Sequence, residues 1–213
     1  MTVEQLTLGE RRSPLSGFHA GSPETVQLAE VPFLTMVNLR VDPAGPAAVR
    51  VASVLGSGLP IEPNTVATAA EYAVLWLAPD EWLVVGADPG VAGASALVAA
   101  LRAALHGERG SAVDVSANRT TVDVSGPRAR DVLENGCPLD LHPRVFRPGR
   151  CAQTLLARTH VLLWQTGPEP TIAGSTGAGP TYRLLVRGSF AAYLAAWLSD
   201  AAREHWNPGN LPR

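Results

Sequence analysis

The 213-residue sequence contains no lysine; all 17 of its basic residues are arginine. That excludes a Schiff-base lysine for pyridoxal phosphate and the phosphate-gripping lysine of a P-loop. Charge of either sign is scarce. Charged residues make up 17% of the chain and hydrophobic ones 46%, whereas an average soluble domain is roughly 25% charged. The shortfall is on the order of fifteen to twenty charges. Charge is depleted where a partner covers surface, so the deficit, with five tryptophans, points to obligate association. An alanine-rich compositional bias explains it equally well. Cysteine is limited to Cys137 and Cys151, too few for a disulfide framework, and reads as reduced thiols in a cytoplasmic protein. No apolar run approaches the ~20 residues of a bilayer span. The first residues, MTVEQLTLGERRSPL, lack the basic-then-apolar order of a secretory signal. A net charge of −2 without a basic block argues against counterion-release binding to nucleic acid.

Metal and nucleotide motifs are missing as well. His19, His106, His142, His160 and His205 show no HxH or HExxH spacing, and the cysteines form no CxxC. No GxGxxG stretch follows a strand and opens a helix, which excludes a Rossmann site.

What is there alternates strand pairs with single helices. Residues 1–25 are polar and broken by Pro14 and Pro23, which reads as an arm. VPFLTMVNLRV places Phe33, Thr35, Val37, Leu39 and Val41 on one face of a strand. A helix follows, with Ala48, Ala52 and Leu55 in one stripe and Gly56 as its left-handed cap. YAVLW and WLVVG are two buried strands joined at Pro79–Asp80. Leu97, Leu101 and Leu105 then mark a second helix that ends before Gly107. Two strands flank an Ala117–Asn118 turn, and a short helix opens near Ser125–Pro127 and stops at Asn135–Gly136. CAQTLLART, HVLLWQ and TYRLLVRG predict further strands. The last helix carries Phe190, Leu194, Trp197, Leu198 and Ala201 on one face. The pattern predicts an α+β fold with largely antiparallel sheets and helices packed on them. The expected organisation is an arm over 1–25, one α+β domain over 26–205 (one unit or two intimately packed subdomains) and a tail over 206–213.

Few residues have the look of chemistry. Asp80 and Glu81 are adjacent on a turn, so their carboxyls diverge, whereas acid–base pairs converge on a substrate. His160 in an apolar strand reads as a hydrogen-bonded core histidine. Cys137 and Cys151 read as small buried side chains. GSTGAG at 174–179 leads to Pro180 and a strand rather than a helix, so it is a loop and not a phosphate cradle. No catalytic, cofactor-binding or metal-binding residue is expected in this chain. Arg144, Arg147 and Arg150 cluster around Phe146, and arginine with aromatics is enriched at protein interfaces. A solvated loop and an anion site are the other readings of that cluster. Trp206 near the end of the chain is a further candidate anchor. These five form the expected partner interface.

DVSANRTTVDVSGPRARDVL, with the preceding hairpin and helix, ART at 157–159 and TYRLLVRGSFAAYLAAWL, resembles the aminomethyltransferase (T-protein) fold from about residue 30 onward. RRSPL, LAPDEWL, CPLDLHP, CAQTLLA and YRLLVRGSFAAYL, in that order, resemble more narrowly the gamma-subunit family of heterotetrameric sarcosine oxidase. In the aminomethyltransferases an acidic residue upstream of the hairpin helps hold the folate pterin. Here Ala69 and Ala70 stand there, with Glu71 displaced from the place. Where a glycine-rich, glutamate-bearing loop would complete that site, Val161–Trp164 continue as apolar strand. An unmet polar group on a buried pterin costs about 1–3 kcal/mol, so the folate pocket is expected to be lost from a retained scaffold. The resemblance implies a non-catalytic subunit that packs against alpha, beta and delta subunits. Their complex oxidises sarcosine to glycine, forming hydrogen peroxide and methylenetetrahydrofolate. FAD, FMN, NAD, folate and zinc are implied for the partner subunits. The rival reading is an independent folate-binding or iron–sulfur-maintenance protein of the same fold.

Overall fold

Strands that are apolar on both faces need cover on both sides, and two sheets stacked against each other under outer helices supply it. In the computed structural model, residues 11–69, 71–88, 90–167 and 179–206 are described. The elements run β1 His19–Gly21, β2 Gln27–Glu30, β3 Thr35–Val41, α1 Pro46–Leu55, β4 Val66–Thr68, β5 Tyr72–Ala78, β6 Glu81–Gly86, α2 Gly90–Ala104 and β7 Gly110–Asp114. They continue with β8 Arg119–Ser125, α3 Ala129–Glu134, β9 Cys151–Leu156, β10 Thr159–Gly167, β11 Thr181–Arg187 and α4 Ala191–Ala202. One sheet has six strands in the order β1-β2-β8-β11-β10-β9; the other has five, β4-β5-β6-β3-β7. Among the described residues every strand pairing is antiparallel, in line with the largely antiparallel sheets that the sequence pattern predicts.

Side-chain alternation sorts the core into layers. On β3, Val37, Leu39 and Val41 pack with Val51 and Leu55 of α1 and Leu97 and Leu101 of α2. On β8, β10 and β11, Val122, Val124, Leu163, Tyr182 and Leu184 pack with Leu133 of α3 and Leu194 and Leu198 of α4. Between the sheets, Met36, Leu75 and Leu83 meet Cys151, Leu162, Trp164 and Leu185. The order is helices, sheet, sheet, helices.

Four local expectations shift. Phe33 has φ 61° and lies outside β3, which starts at Thr35. The buried face of α1 is Ala47, Val51 and Leu55 rather than Ala48 and Ala52, because a stripe holding Val51 removes more apolar surface from water than one holding alanines. Gly56 does close that helix in the left-handed region, at φ 70°. The strands around Ala117–Asn118 do not form a hairpin: a 3₁₀ turn, Ser116–Asn118, carries the chain from β7 in one sheet to β8 in the other. His160 is exposed, not a core histidine, and so is its cross-strand partner Leu155; that end of the sheet runs past the cover of its neighbour.

Both termini of the described chain are tied in more firmly than an arm and a tail. Residues 19–21 form an edge strand, and Leu15 and Phe18 pack on the core. Trp206 is buried, and its Nε1–H donates to the Val26 carbonyl at 3.0 Å. Gly21 makes room for it: a Cβ there would lie 2.5 Å from Trp206 Nε1, and its φ of 90° suits glycine.

Asp123 of β8 and Arg183 of β11 are cross-strand partners. With Val122 and Val124 on the helix side, Asp123 points between the sheets. It is 0% exposed and accepts from Arg183 Nε at 2.8 Å and Nη2 at 2.9 Å. The Arg183 guanidinium also lies 5.5 Å from the centre of the Trp164 ring. This bidentate pair solves the cost of a buried charge by mutual satisfaction. Asp123→Ala is expected to cost about 3–5 kcal/mol, because it strands a buried guanidinium, whereas Asp123→Leu with Arg183→Met recovers most of that. Urea unfolding of the two variants measures the difference.

Candidate functional site

A cleft of about 630 Å³ opens where the N-terminal segment, the start of β3, the flank of α2 and the Asp114–Thr120 crossover meet. Its walls combine charge with apolar surface: Arg11, Arg12 and Arg119 with Phe33, Ala94 and Val115. The Arg11 guanidinium sits 4.3 Å above the Phe33 ring and donates from Nη1 to both carboxylate oxygens of Asp88 at 3.1 Å. Asp114 accepts from the backbone N–H and hydroxyl of Ser116 at 2.9 and 2.6 Å, and Ser116 Oγ in turn accepts from the Met36 N–H. Glu30 accepts from the hydroxyls of Ser13 and Thr120. These bonds order the crossover and the rim.

Arg119 is set differently. It is half-buried and stands directly across the ladder from Arg187, which is exposed. Burial and then the charge of Arg187 push its guanidinium below the ordinary arginine value, with Glu81 opposing. Among the described residues Arg119 makes no ion pair.

Asp80 and Glu81 do not converge on anything. Asp80 is exposed at the turn, where its carbonyl accepts from the Val41 N–H at 3.2 Å. Glu81 opens β6 and accepts from Asn38 Nδ2 at 2.7 Å and Arg40 Nη2 at 2.6 Å. Burial pushes the Glu81 carboxyl up, but those hydrogen bonds and the charges of Arg40 and Arg119 outweigh it, so it lies below the ordinary carboxylate value.

The expected interface residues separate. Arg144 and Arg147 are exposed, and Arg150 is half-buried and donates to Glu62 at 2.8 Å. Phe146 is not on that face: it is a core side chain, its ring 6.4 Å from that of Tyr182. Trp206 is likewise a core residue on the Val26 carbonyl. A single turn of chain explains the first case, since the Phe146 N–H bonds back to the His142 carbonyl and turns the ring inward. Val145 points outward instead, at 55% exposure.

Of the residues read against a pterin site in the sequence, Leu162 and Trp164 pack in the layer between the sheets, and Ala69 donates its N–H to the Tyr72 carbonyl. Ala70 and the loop 174–178 lie outside the described residues. Cys151 is 0% exposed, and burial pushes its thiol up to about 12. Cys137 is half-buried and also raised by burial. Among the described residues no group of three or more His, Cys, Asp or Glu is placed to hold a metal, and no helix is long and apolar enough to cross a membrane. Sequence reasoning did not single out Asp123, Arg183 or Arg119, whose roles come from cross-strand register; the only signal was charge inside otherwise apolar strands.

The arrangement defines an aminomethyltransferase-like α+β scaffold. A solved aminomethyltransferase T of the glycine cleavage system, from Bartonella henselae, superposes with a TM-score of 0.59 at 15% identity, over 84% of this chain and 47% of its own. Residues 39–204 match the model of the Sarcosine oxidase, gamma subunit family. The chain is 41% identical over 86% of its length to a sarcosine oxidase subunit gamma from Arthrobacter sp., which is covered over 83%. It is 40% identical to that of Corynebacterium sp. strain P-1, over 84% of this chain and 81% of the relative. A solved heterotetrameric sarcosine oxidase from Corynebacterium sp. U-96 contains a chain matched with a TM-score of 0.79 and 36% identity, over 92% of this chain and 97% of that one. This chain belongs to the sarcosine oxidase gamma subunit family.

Two measurements probe the site. Iodoacetamide at pH 8 is expected to leave Cys151 unmodified in the folded protein and to alkylate both cysteines in urea, read by peptide mass spectrometry; labelling of native Cys151 contradicts its burial. Because the folded Glu81 pKa is depressed, its stabilisation is complete above the ordinary value of 4.5 and lost as pH falls through the lower folded value. Glu81→Gln is therefore expected to flatten the fall in Tm below about pH 4.5, with the difference shrinking in high salt.

Proposed function

We propose that this chain is the non-catalytic gamma subunit of a heterotetrameric sarcosine oxidase that works in the cytoplasm. It packs against alpha, beta and delta subunits of the complex that oxidises sarcosine to glycine, with hydrogen peroxide and methylenetetrahydrofolate as products. The flavins, NAD, folate and zinc sit in the partner subunits. The observation that carries this reading is the match over nearly the full length of both chains, 92% and 97%, to a chain of a solved heterotetrameric sarcosine oxidase.

The side chains support the non-catalytic part. Asp123 is locked by Arg183, Glu81 by Asn38 and Arg40, and Cys151 is held as a buried thiol. Leu162 and Trp164 occupy the layer between the sheets with apolar carbon, which favours this reading over an independent folate-binding protein. For the partner face, Arg144, Val145 and Arg147 combine two exposed guanidinium groups with an exposed aliphatic side chain.

Co-expression of the four subunits with and without this chain tests the proposal. Omission is expected to abolish the heterotetramer on size exclusion and to lower sarcosine turnover. Arg144→Glu with Arg147→Glu is expected to weaken assembly roughly tenfold or more while leaving the Tm of this chain unchanged. An oxidase that assembles and turns over normally without the chain refutes the reading, and saturable tetrahydrofolate binding by the chain alone favours the rival.

A further inference from the structure

We propose that the Arg119 end of the cleft is an anion site that takes the carboxylate or phosphate group of a small organic molecule. The first observation is an imbalance of partners. Like charges directly opposite in an antiparallel ladder are destabilising, yet Arg119 and Arg187 are opposite each other and Arg119 is half-buried. Arg12, exposed, also lines the cleft and, like Arg119, has no ion pair among the described residues.

The nearby acids are already committed. Asp88 is held by Arg11, Asp114 by Ser116, Glu30 by Ser13 and Thr120, and Glu81 by Asn38 and Arg40. Glu81 acts on Arg119 only from beyond ion-pair distance, so Arg119 and the exposed Arg12 keep room for an anion from outside the chain. A guanidinium fork matches the two oxygens of a carboxylate or phosphate.

The second observation is shape. A volume of about 630 Å³ falls within the roughly 300–1,000 Å³ of small-molecule sites. Phe33, Ala94 and Val115 line it with apolar surface beside the cationic end, so a ligand with an anionic head and a compact apolar body fits both walls. This inference does not depend on the proposed role in the complex.

The test is calorimetry of the full chain, alone and within the assembled complex, titrated with inorganic phosphate and separately with succinate at constant ionic strength against chloride. Saturable binding of either probe is expected, phosphate assigning the phosphate class and succinate the carboxylate class. Arg119→Gln is expected to weaken that binding roughly tenfold or more, and Arg158→Gln, at an exposed position outside the cleft, to leave it unchanged. Arg12→Gln, which also removes a guanidinium group from the cleft wall, is the second variant should Arg119→Gln misfold, with weakening again expected. Heats no different from chloride in both forms of the protein overturn the proposal. So does binding that survives in the folded Arg119→Gln or Arg12→Gln chain, or that falls equally with Arg158→Gln.

Discussion

Both faces of both sheets have to be kept from water, and the rest of the molecule follows from that constraint. The six-residue strand β6 is buried at every position after Glu81, with Trp82 and Val84 toward the helices and Leu83 and Val85 toward the other sheet. A strand in that position has no solvated side on which to place charge. The scarcity of charge therefore has a cause inside the chain: a four-layer stack spends its apolar residues twice over, once against helices and once between sheets. Association with partner subunits adds to this demand and need not account for all of it.

The layer between the sheets is not wholly apolar. Asp123 and Arg183 face each other across β8 and β11, with Trp164 against the guanidinium on the next strand. In an antiparallel ladder a slip of one residue would send Asp123 toward the helices and Val122 between the sheets. Buried charge with one well-matched partner penalises that slip heavily, whereas leucine in place of both would tolerate it better. In the observed register of β8 on β11 the two residues are direct cross-strand partners. That register in turn sets Arg119 and Arg187 side by side at the strand ends, with Arg119 on the cleft wall.

The scaffold shows how little a fold says about its work. An aminomethyltransferase, over 47% of its length, and a chain of a heterotetrameric sarcosine oxidase share this fold, and a shared fold does not carry function with it. In this chain arginine carries every basic role. One guanidinium closes a salt bridge in the interior, one lies on an aromatic ring, two stand outward beside Val145, and one remains half-buried beside a like charge. A planar, permanently charged fork suits each of these settings better than a flexible ammonium does.

The sequence by itself determined the elements and their class. Alternation marked the strands, four-residue spacing marked α2, and Gly56 marked the end of α1, because these signals depend only on local backbone geometry and on which side of an element is dry. It also carried the ordered motifs that point to the gamma subunit family. Only the tertiary structure decided which strands share a sheet, that Phe146 and Trp206 turn inward, that His160 faces water, and that Asp123 meets Arg183. Those outcomes depend on residues distant in sequence: the cover over a strand end, the notch left by Gly21 and the register of β8 on β11. No local pattern encodes them, because burial and pairing are properties of the neighbour as much as of the residue.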